Sequence, residues 1–317
     1  MSSSLEQYAE YLDTREDLPW PAAPKATPIK ARPHLARLSD VRAVLWNVYG
    51  TLLAIPLGEL LFEHPTPFVM SNALDRTIQE FKMWASMSRK PGQPADDLLR
   101  QYKQILSEQS LTAGGERHPE IQVEKVWEVI LKRLLQKDYK FDAGFFGALN
   151  EYSRKVAYFF HASLQGTACY EGAAEAMKHV AASGLRQGLL GDGQCFTKVQ
   201  LQRGLTAQDG SARLDELLND GLVVLSCDLR GKKPSDRLFR KALEELQAAG
   251  VSPHETLHVG SRMQQDIVPA KRLGMKTALF AGDKTSIQAT PEQLKESATR
   301  PDVLLTELRQ IREVVGS

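Results

Sequence analysis

The sequence predicts an α/β protein in which a parallel β-sheet carries a helical domain inserted after its first strand. Short apolar runs alternate with helical patterns in the C-terminal half, which is typical of a parallel sheet covered by helices on both faces. Between the first and second of these runs, residues 58–165 contain helical stripes and no strand pattern. The chain has 317 residues, 42% hydrophobic and 25% charged, which is enough to bury a sizeable core.

Residues 1–40 come before the first predicted strand, and we expect them to form an extended, proline-rich arm. Pro21, Pro24, Pro28 and Pro33 interrupt helices, and nearby lysines and arginines keep the segment solvated. The first residues are acidic and lack the apolar centre of a signal peptide. No apolar run reaches the roughly 18 residues that span a bilayer. We therefore expect a cytoplasmic protein.

The first strand is predicted within residues 41–48, an apolar run that ends at Tyr49-Gly50-Thr51. The other strands are predicted at residues 186–190, 222–225, 256–259, 276–280 and 302–305. Between them, a helix over 170–183 ends at Gly184, and a helix over 235–249 follows Pro234 and ends at Gly250.

The insert shows three apolar stripes at helical spacing, which predict helices that pack on one another. The stripes are Leu98, Leu99, Tyr102, Ile105 and Leu106; Val126, Trp127, Ile130, Leu131, Leu134 and Leu135; and Phe145, Leu149, Tyr152, Val156 and Phe159. We therefore divide the chain into an arm (1–40), an α/β core (41–57 and 166–317) and a helical domain (58–165). A domain inserted at this point is expected above the carboxyl ends of the strands, where open α/β sheets bind ligands.

Charge and cysteine content exclude several classes of protein. With 40 basic and 39 acidic residues the net charge is +1, so the composition predicts binding to neither nucleic acid nor anionic membranes. Cys169, Cys195 and Cys227 are widely spaced, so the sequence predicts neither a disulfide framework nor a zinc site.

Polar residues follow three of the predicted strands. Asn47 and Thr51 flank a tight turn at Gly50, Lys233 lies in a Gly-Lys-Lys-Pro segment, and Ser261 and Asp266 follow the run at 256–259. Since parallel strands end at one edge of a sheet, we expect these side chains to lie close together. Each signal is weak alone, and their order along the chain gives them weight.

In these motifs the chain resembles the haloacid dehalogenase (HAD) superfamily of hydrolases. Asn47–Leu52 stands where the family has Asp-x-(Asp or Tyr)-Gly-Thr-Leu, and the strand ending at Gly191 stands where the family's second strand ends in Ser or Thr. Lys233-Pro234 matches the lysine motif, and Val259–Asp266 stands where most relatives have Val-Gly-Asp-Ser-x-x-x-Asp. The resemblance covers about residues 41–57 and 168–308. It implies a Rossmann-like core, with the insert in the place of the family's helical cap.

Three of these positions depart from the family pattern. The resemblance implies that the first-motif aspartate attacks the substrate and, in the phosphatases, binds magnesium, whereas here the residue is Asn47. An amide is neither nucleophilic nor charged, so the covalent route has no attacking group. Gly191 replaces a hydroxyl that contacts the transferring group, and Ser261 replaces a magnesium-binding carboxylate. We therefore expect no metal site, weak or absent magnesium binding, and no other cofactor.

The sequence leaves three functional readings. The first is a protein without the covalent hydrolase activity that retains a small phosphate or carboxylate ligand, or an unknown protein partner. The proposed ligand-contacting positions are Thr51, Gly191, Lys233 and Ser261. The second is an active phosphatase or haloacid dehalogenase that uses atypical residues. The dehalogenase branch has Tyr and Ser where Tyr49 and Ser261 stand, together with an Asp matching Asp266, and Asp192 is the candidate substitute carboxylate. The third is a purely structural interaction protein.

Overall fold

The computed structural model describes residues 2–87, 94–111, 115–219 and 221–316. Its strands are β1 (Ala43–Trp46), β2 (Leu53–Ala54), β3 (Ala168–Cys169), β4 (Arg186–Gly191), β5 (Val223–Leu225), β6 (Thr256–Gly260), β7 (Lys276–Phe280) and β8 (Val303–Leu305). Six of them form one parallel sheet in the order β5-β4-β1-β6-β7-β8. The α/β class and the predicted parallel sheet are confirmed, and each predicted strand is present.

Strand β1 lies in the middle of the sheet, between β4 and β6. All four of its residues are buried, as expected for a strand covered on both faces. The chain crosses to opposite sides of β1 to make β4 and β6, so the order of the strands reverses there. Such a reversal opens a crevice at the carboxyl ends of the neighbouring strands.

The helices are α1 (Leu5–Asp13), α2 (Pro67–Glu80), α3 (Pro94–Leu111), α4 (Val123–Leu135), α5 (Ala143–Phe146), α6 (Leu149–Leu164), α7 (Ala173–Ala182), α8 (Thr197–Gln208), α9 (Leu214–Leu217), α10 (Ser226–Leu229), α11 (Asp236–Ala248), α12 (Val268–Arg272), α13 (Pro291–Lys295) and α14 (Ile311–Val314). A single π-helical turn, Met263–Ile267, precedes α12. None of the helices in the described ranges is both long and apolar enough to cross a membrane.

Helices α2, α3, α4 and α6 pack around an aromatic core, while β2 and β3 pair in antiparallel fashion at the two ends of the insert. The third predicted stripe is divided, because Gly147 takes a left-handed φ of 83° and separates α5 from α6. Phe145 therefore lies on a different helix from Tyr152, Val156 and Phe159.

The arm is not extended throughout, since residues 5–13 form helix α1. Ser4 caps this helix by accepting a hydrogen bond from the backbone N–H of Gln7, whose side chain accepts one from the N–H of Ser4. Leu5, Tyr8 and Leu12 are buried in the aromatic core of the insert. Apolar burial against the insert explains why the segment is helical.

Candidate functional site

The carboxyl edge of the sheet brings the motif residues together. Asn47 directly follows β1, Gly191 ends β4 and is followed by Asp192, and Ser261 directly follows β6. Lys233 lies in the loop between α10 and α11, and its ammonium group reaches the space between β1 and β6. Hydrogen bonds thus join Lys233 to Asn47 and to Asp266 at this edge.

Asn47 is buried, and both ends of its amide have partners. Its Nδ2 donates to the carbonyl oxygen of Tyr49 at 2.9 Å and to Oγ1 of Thr51 at 3.3 Å. Its Oδ1 accepts a hydrogen bond from Nζ of Lys233 at 3.4 Å. A Cβ atom built on Gly191 would lie 2.8 Å from the same oxygen. The Asn47 amide therefore takes the space that a side chain at 191 would need.

Lys233 and Asp266 form a fully buried ion pair, with 2.8 Å between Nζ and Oδ1. The lysine also contacts Nε2 of His258 at 3.1 Å, so that Asn47, Asp266 and His258 face its three N–H bonds. Burial lowers the pKa of His258 to about 3, and the neighbouring Lys233 charge adds to this effect, so the ring is neutral and Nε2 can accept.

Three hydrogen-bond donors stabilise the ionised form of Asp266: Nζ of Lys233 and two backbone N–H groups. Its Oδ2 accepts backbone hydrogen bonds from Ser261 at 3.1 Å and Arg262 at 2.9 Å. Burial alone would raise the pKa of this carboxyl, but the charges of Lys233 and Arg262 outweigh burial and hold the pKa below its usual range. Burial lowers the pKa of Lys233, and the Asp266 charge opposes that shift. Each charge stabilises the other, so both members of the pair are ionised.

Arg262 connects the ends of β6 and β4. Its Nη2 donates to Oδ2 of Asp192 at 3.0 Å, and its Nε lies 3.6 Å from Oδ2 of Asp266. The other Asp192 oxygen accepts the backbone N–H of Lys233 at 2.7 Å. The carboxylates of Asp266 and Asp192 are thus neutralised by Lys233 and Arg262.

The side chains of Tyr49 and Ser261, two further predicted positions, lie outside the network of charged side chains. Tyr49 donates to Oε1 of Gln200 at 2.6 Å and shares a hydrogen bond with Thr197. Burial raises the pKa of Tyr49 far above its usual value, so the hydroxyl is un-ionised. Ser261 Oγ is buried and has no hydrogen-bond partner among the described residues.

A cavity of about 50 Å³ lies at this edge, which is room for one or two waters at about 30 Å³ each. Of the predicted site residues, Asn47, Tyr49 and Asp192 line it, whereas Thr51, Gly191, Lys233 and Ser261 are absent from its wall. The wall also includes residues that the sequence analysis did not single out, among them Glu59, Glu120, Lys232 and Arg262.

Glu120 belongs to the insert and is the main residue that sequence reasoning missed. It is 5% exposed, and its carboxylate accepts hydrogen bonds from Ser226 Oγ and from the backbone N–H of Ile121. Burial raises the pKa of Glu120 to about 7, partly offset by the Ser226 hydrogen bond and reinforced by the charge of Asp192. No local pattern around Pro119-Glu120-Ile121 could have identified it, because its surroundings come from a distant strand.

A magnesium ion, which the resemblance to the phosphatases implies, does not fit this set of side chains. Magnesium is usually held through one or two carboxylates. Here Asp266 and Asp192 are already paired with Lys233 and Arg262, and positions 47 and 261 supply an amide and a hydroxyl. Within the described ranges, no group of three or more His, Cys, Asp or Glu side chains is placed to hold a metal ion.

Comparison with known proteins agrees with this architecture. Residues 231–311 match a family model described as HAD-hydrolase-like. The chain has 86% of its length in common with a 2-haloacid dehalogenase structure from Pseudomonas syringae, covering 97% of that chain with a TM-score of 0.50 and 16% identity. At that identity the likeness concerns the fold alone.

Two curated proteins are similar in sequence over shorter stretches. A glyceraldehyde 3-phosphate phosphatase from Pyrococcus furiosus is 40% identical over 93 residues, which is 29% of this chain and 35% of the phosphatase. The rhythmically expressed gene 2 protein of Drosophila melanogaster is 32% identical over 69 residues, 22% of this chain and 26% of that protein. These matches span about a third or less of each relative. Together with the fold, these matches make the chain similar to the HAD-like hydrolases, and the match to the family model is confined to residues 231–311.

Proposed function

We propose that this HAD-superfamily protein does not hydrolyse substrates through an aspartyl ester, and that its site binds a small oxyanion without turning it over. The observation that carries the first part is the Asn47 amide at the end of β1, whose two ends are bonded to Tyr49, Thr51 and Lys233. An uncharged amide held in this way is not a nucleophile toward phosphorus or carbon.

The proposed ligand follows from the charges on the cavity wall. Two cations, Lys232 and Arg262, line the cavity beside the carboxyl groups of Asp192, Glu59 and Glu120. The volume of about 50 Å³ limits the ligand to a small anion such as phosphate or a small carboxylate. Lys233, which the sequence suggested as the anion contact, is a weaker choice, because its three donors already face Asp266, His258 and Asn47. We therefore assign the anion to Lys232 and Arg262.

Two measurements on the purified protein test the proposal. Turnover of p-nitrophenyl phosphate and of 2-chloropropionate, with and without magnesium, is expected to stay at background. Calorimetry with phosphate and tungstate is expected to give binding heat, whereas magnesium alone gives none. Turnover that disappears in Asn47→Ala would contradict the loss of hydrolysis, and absence of binding by both oxyanions would contradict the ligand.

A second candidate function is hydrolysis through an atypical carboxyl. It is favoured by Glu120, a buried carboxyl on the cavity wall with a pKa of about 7, which is suited to acid–base chemistry near neutral pH. The phosphatase named above is similar to part of this chain. Asp192 is less suited, because it is bonded to Arg262 and to the Lys233 backbone. Turnover lost in Glu120→Gln but insensitive to Asn47→Ala would identify this activity.

A further inference from the structure

Glu120 is fixed over the sheet edge by a segment of the insert. The segment between α3 and α4 pairs with the loop before Lys233 through an antiparallel bridge of Pro119 with Gly231. Two backbone hydrogen bonds flank this bridge: Glu120 N–H to the carbonyl oxygen of Arg230 at 3.2 Å, and Lys232 N–H to the carbonyl oxygen of His118 at 2.8 Å. The insert therefore places the Glu120 carboxyl at the cavity by main-chain pairing.

The carboxyl group itself is held by neutral donors. Ser226, at the end of β5, donates to one oxygen and also receives the backbone N–H of Gly193 at 2.9 Å. The N–H of Ile121 reaches the other oxygen at 3.0 Å. No ion pair to Glu120 is found among the described residues, in contrast to Asp266. A buried carboxylate without a paired cation is costly, which favours its protonated form near neutral pH.

The charged and titratable groups around Glu120 come from every element that packs against it: Asp192 after β4, Lys232 before α11, Cys227 in α10, Tyr49 after β1, and Glu59 and Arg262 on the cavity wall. Burial raises the pKa of both Cys227 and Tyr49 far above neutrality, so these two are uncharged. Asp192 is paired with Arg262. None of the described residues that line the cavity is a histidine.

Ionised Glu120 would therefore place an unpaired negative charge on the wall of a cavity proposed to hold an anion. We propose that the site binds its oxyanion only together with a proton on Glu120, so that anion binding and proton uptake are coupled. The inference rests on the proposed oxyanion function and adds the residue that makes binding depend on pH. Protonation of Glu120 removes one negative charge from a wall that also carries Lys232, Arg262, Glu59 and the Arg262-paired Asp192.

Sulfate is the probe of choice, because its own charge does not change near neutral pH. Calorimetry at constant ionic strength, one pH unit below and one above the Glu120 pKa of about 7, is expected to show binding about tenfold weaker at the higher pH. Buffers of different ionisation enthalpy should report uptake of about one proton per sulfate at the higher pH.

Glu120→Gln keeps the shape and the neutral charge of the protonated form. It is expected to bind sulfate with the same affinity at both pH values, within about twofold, and to take up no proton. The matched control is Glu116→Gln, in the same segment but bonded to Ser235 and Arg237, which should keep the wild-type pH dependence.

The outcomes separate the two proposals. Equal pH dependence in Glu120→Gln and wild type would overturn proton coupling while leaving oxyanion binding intact. Loss of the pH dependence in Glu116→Gln as well would also overturn it, since a local loosening of the segment would then be the cause. Absence of sulfate binding by every protein at both pH values would overturn the oxyanion function itself, and the coupling with it.

Discussion

A buried carboxyl group has opposite surroundings on the two walls of the candidate site. The sheet wall surrounds it with cations, and the insert wall with neutral donors. On the sheet side, Asp266 is fully buried between Lys233 and Arg262, and its pKa lies below the usual range. On the insert side, Glu120 is also buried but has only neutral donors, and its pKa is raised to about 7. Burial opposes ionisation at both positions, so the paired cations make the difference.

The comparison shows where the site is rigid and where it can respond. On the sheet wall, the carboxylates of Asp266 and Asp192 are paired with Lys233 and Arg262. The insert wall carries a group that changes charge near neutral pH. We therefore expect substitutions on the sheet wall to affect folding, and substitutions on the insert wall to affect pH dependence and ligand binding.

The largest effect is expected for Lys233→Met, which leaves the Asp266 charge buried without its closest partner. Removal of one member of a buried pair costs about 3–5 kcal/mol in the free energy of unfolding, measured by urea denaturation at neutral pH. Lys232→Met, an exposed lysine one residue earlier, should change that free energy by at most about 0.5 kcal/mol. Equal effects of the two substitutions would show that the ion pair does not hold the sheet wall together.

Glu120→Gln should produce a pH-dependent gain in stability relative to the wild type. The pKa of Glu120 in the folded protein, about 7, lies above its usual 4.5, so its contribution to stability is fully present below pH 4.5 and is lost as the pH rises to about 7. Above that window Glu120→Gln should exceed the wild type by on the order of 2–3 kcal/mol. Chemical unfolding across the window measures the difference, and a constant offset between the two proteins would contradict the raised pKa.

Gly191→Ala tests how tightly the sheet wall is packed around Asn47. The added Cβ would lie 2.8 Å from Oδ1 of Asn47, closer than nonbonded atoms approach, so we expect a loss of about 1–3 kcal/mol. In an Asn47→Ala background that oxygen is absent, and the same substitution should cost clearly less. A double-mutant cycle measured by thermal unfolding gives the coupling, and additive costs would show that Asn47 is not the obstacle.

The sequence was sufficient for the sheet and for the part of the site that the sheet builds. Asn47, Lys233 and Asp266 follow the strand pattern, and their meeting is a consequence of parallel strands ending at one edge. Arg262 had a usable signal, because it lies four residues before Asp266. Helix α1 could also have been predicted, because Ser4 and Gln7 form a capping box at its start and apolar residues recur along one of its faces. Glu120 had no such signal, since its burial arises from contacts with Ser226 and Gly231 across the fold.

Asp192→Asn should have the smallest effect on stability, and it tests whether a charge on the sheet wall affects Glu120 on the insert wall. Asp192 is partly exposed, at 23% of its side chain, and binds Arg262 and the Lys233 backbone, so its loss should cost about 0.5–1.5 kcal/mol. Added salt should reduce that cost, unlike the cost of Lys233→Met, because exposed pairs are screened more than buried ones. The Asp192 charge also raises the pKa of Glu120, so the pH window of the Glu120 effect should move to lower pH in Asp192→Asn. If the pH window did not move, the charge of Asp192 would not contribute to the raised pKa of Glu120, and burial would account for it.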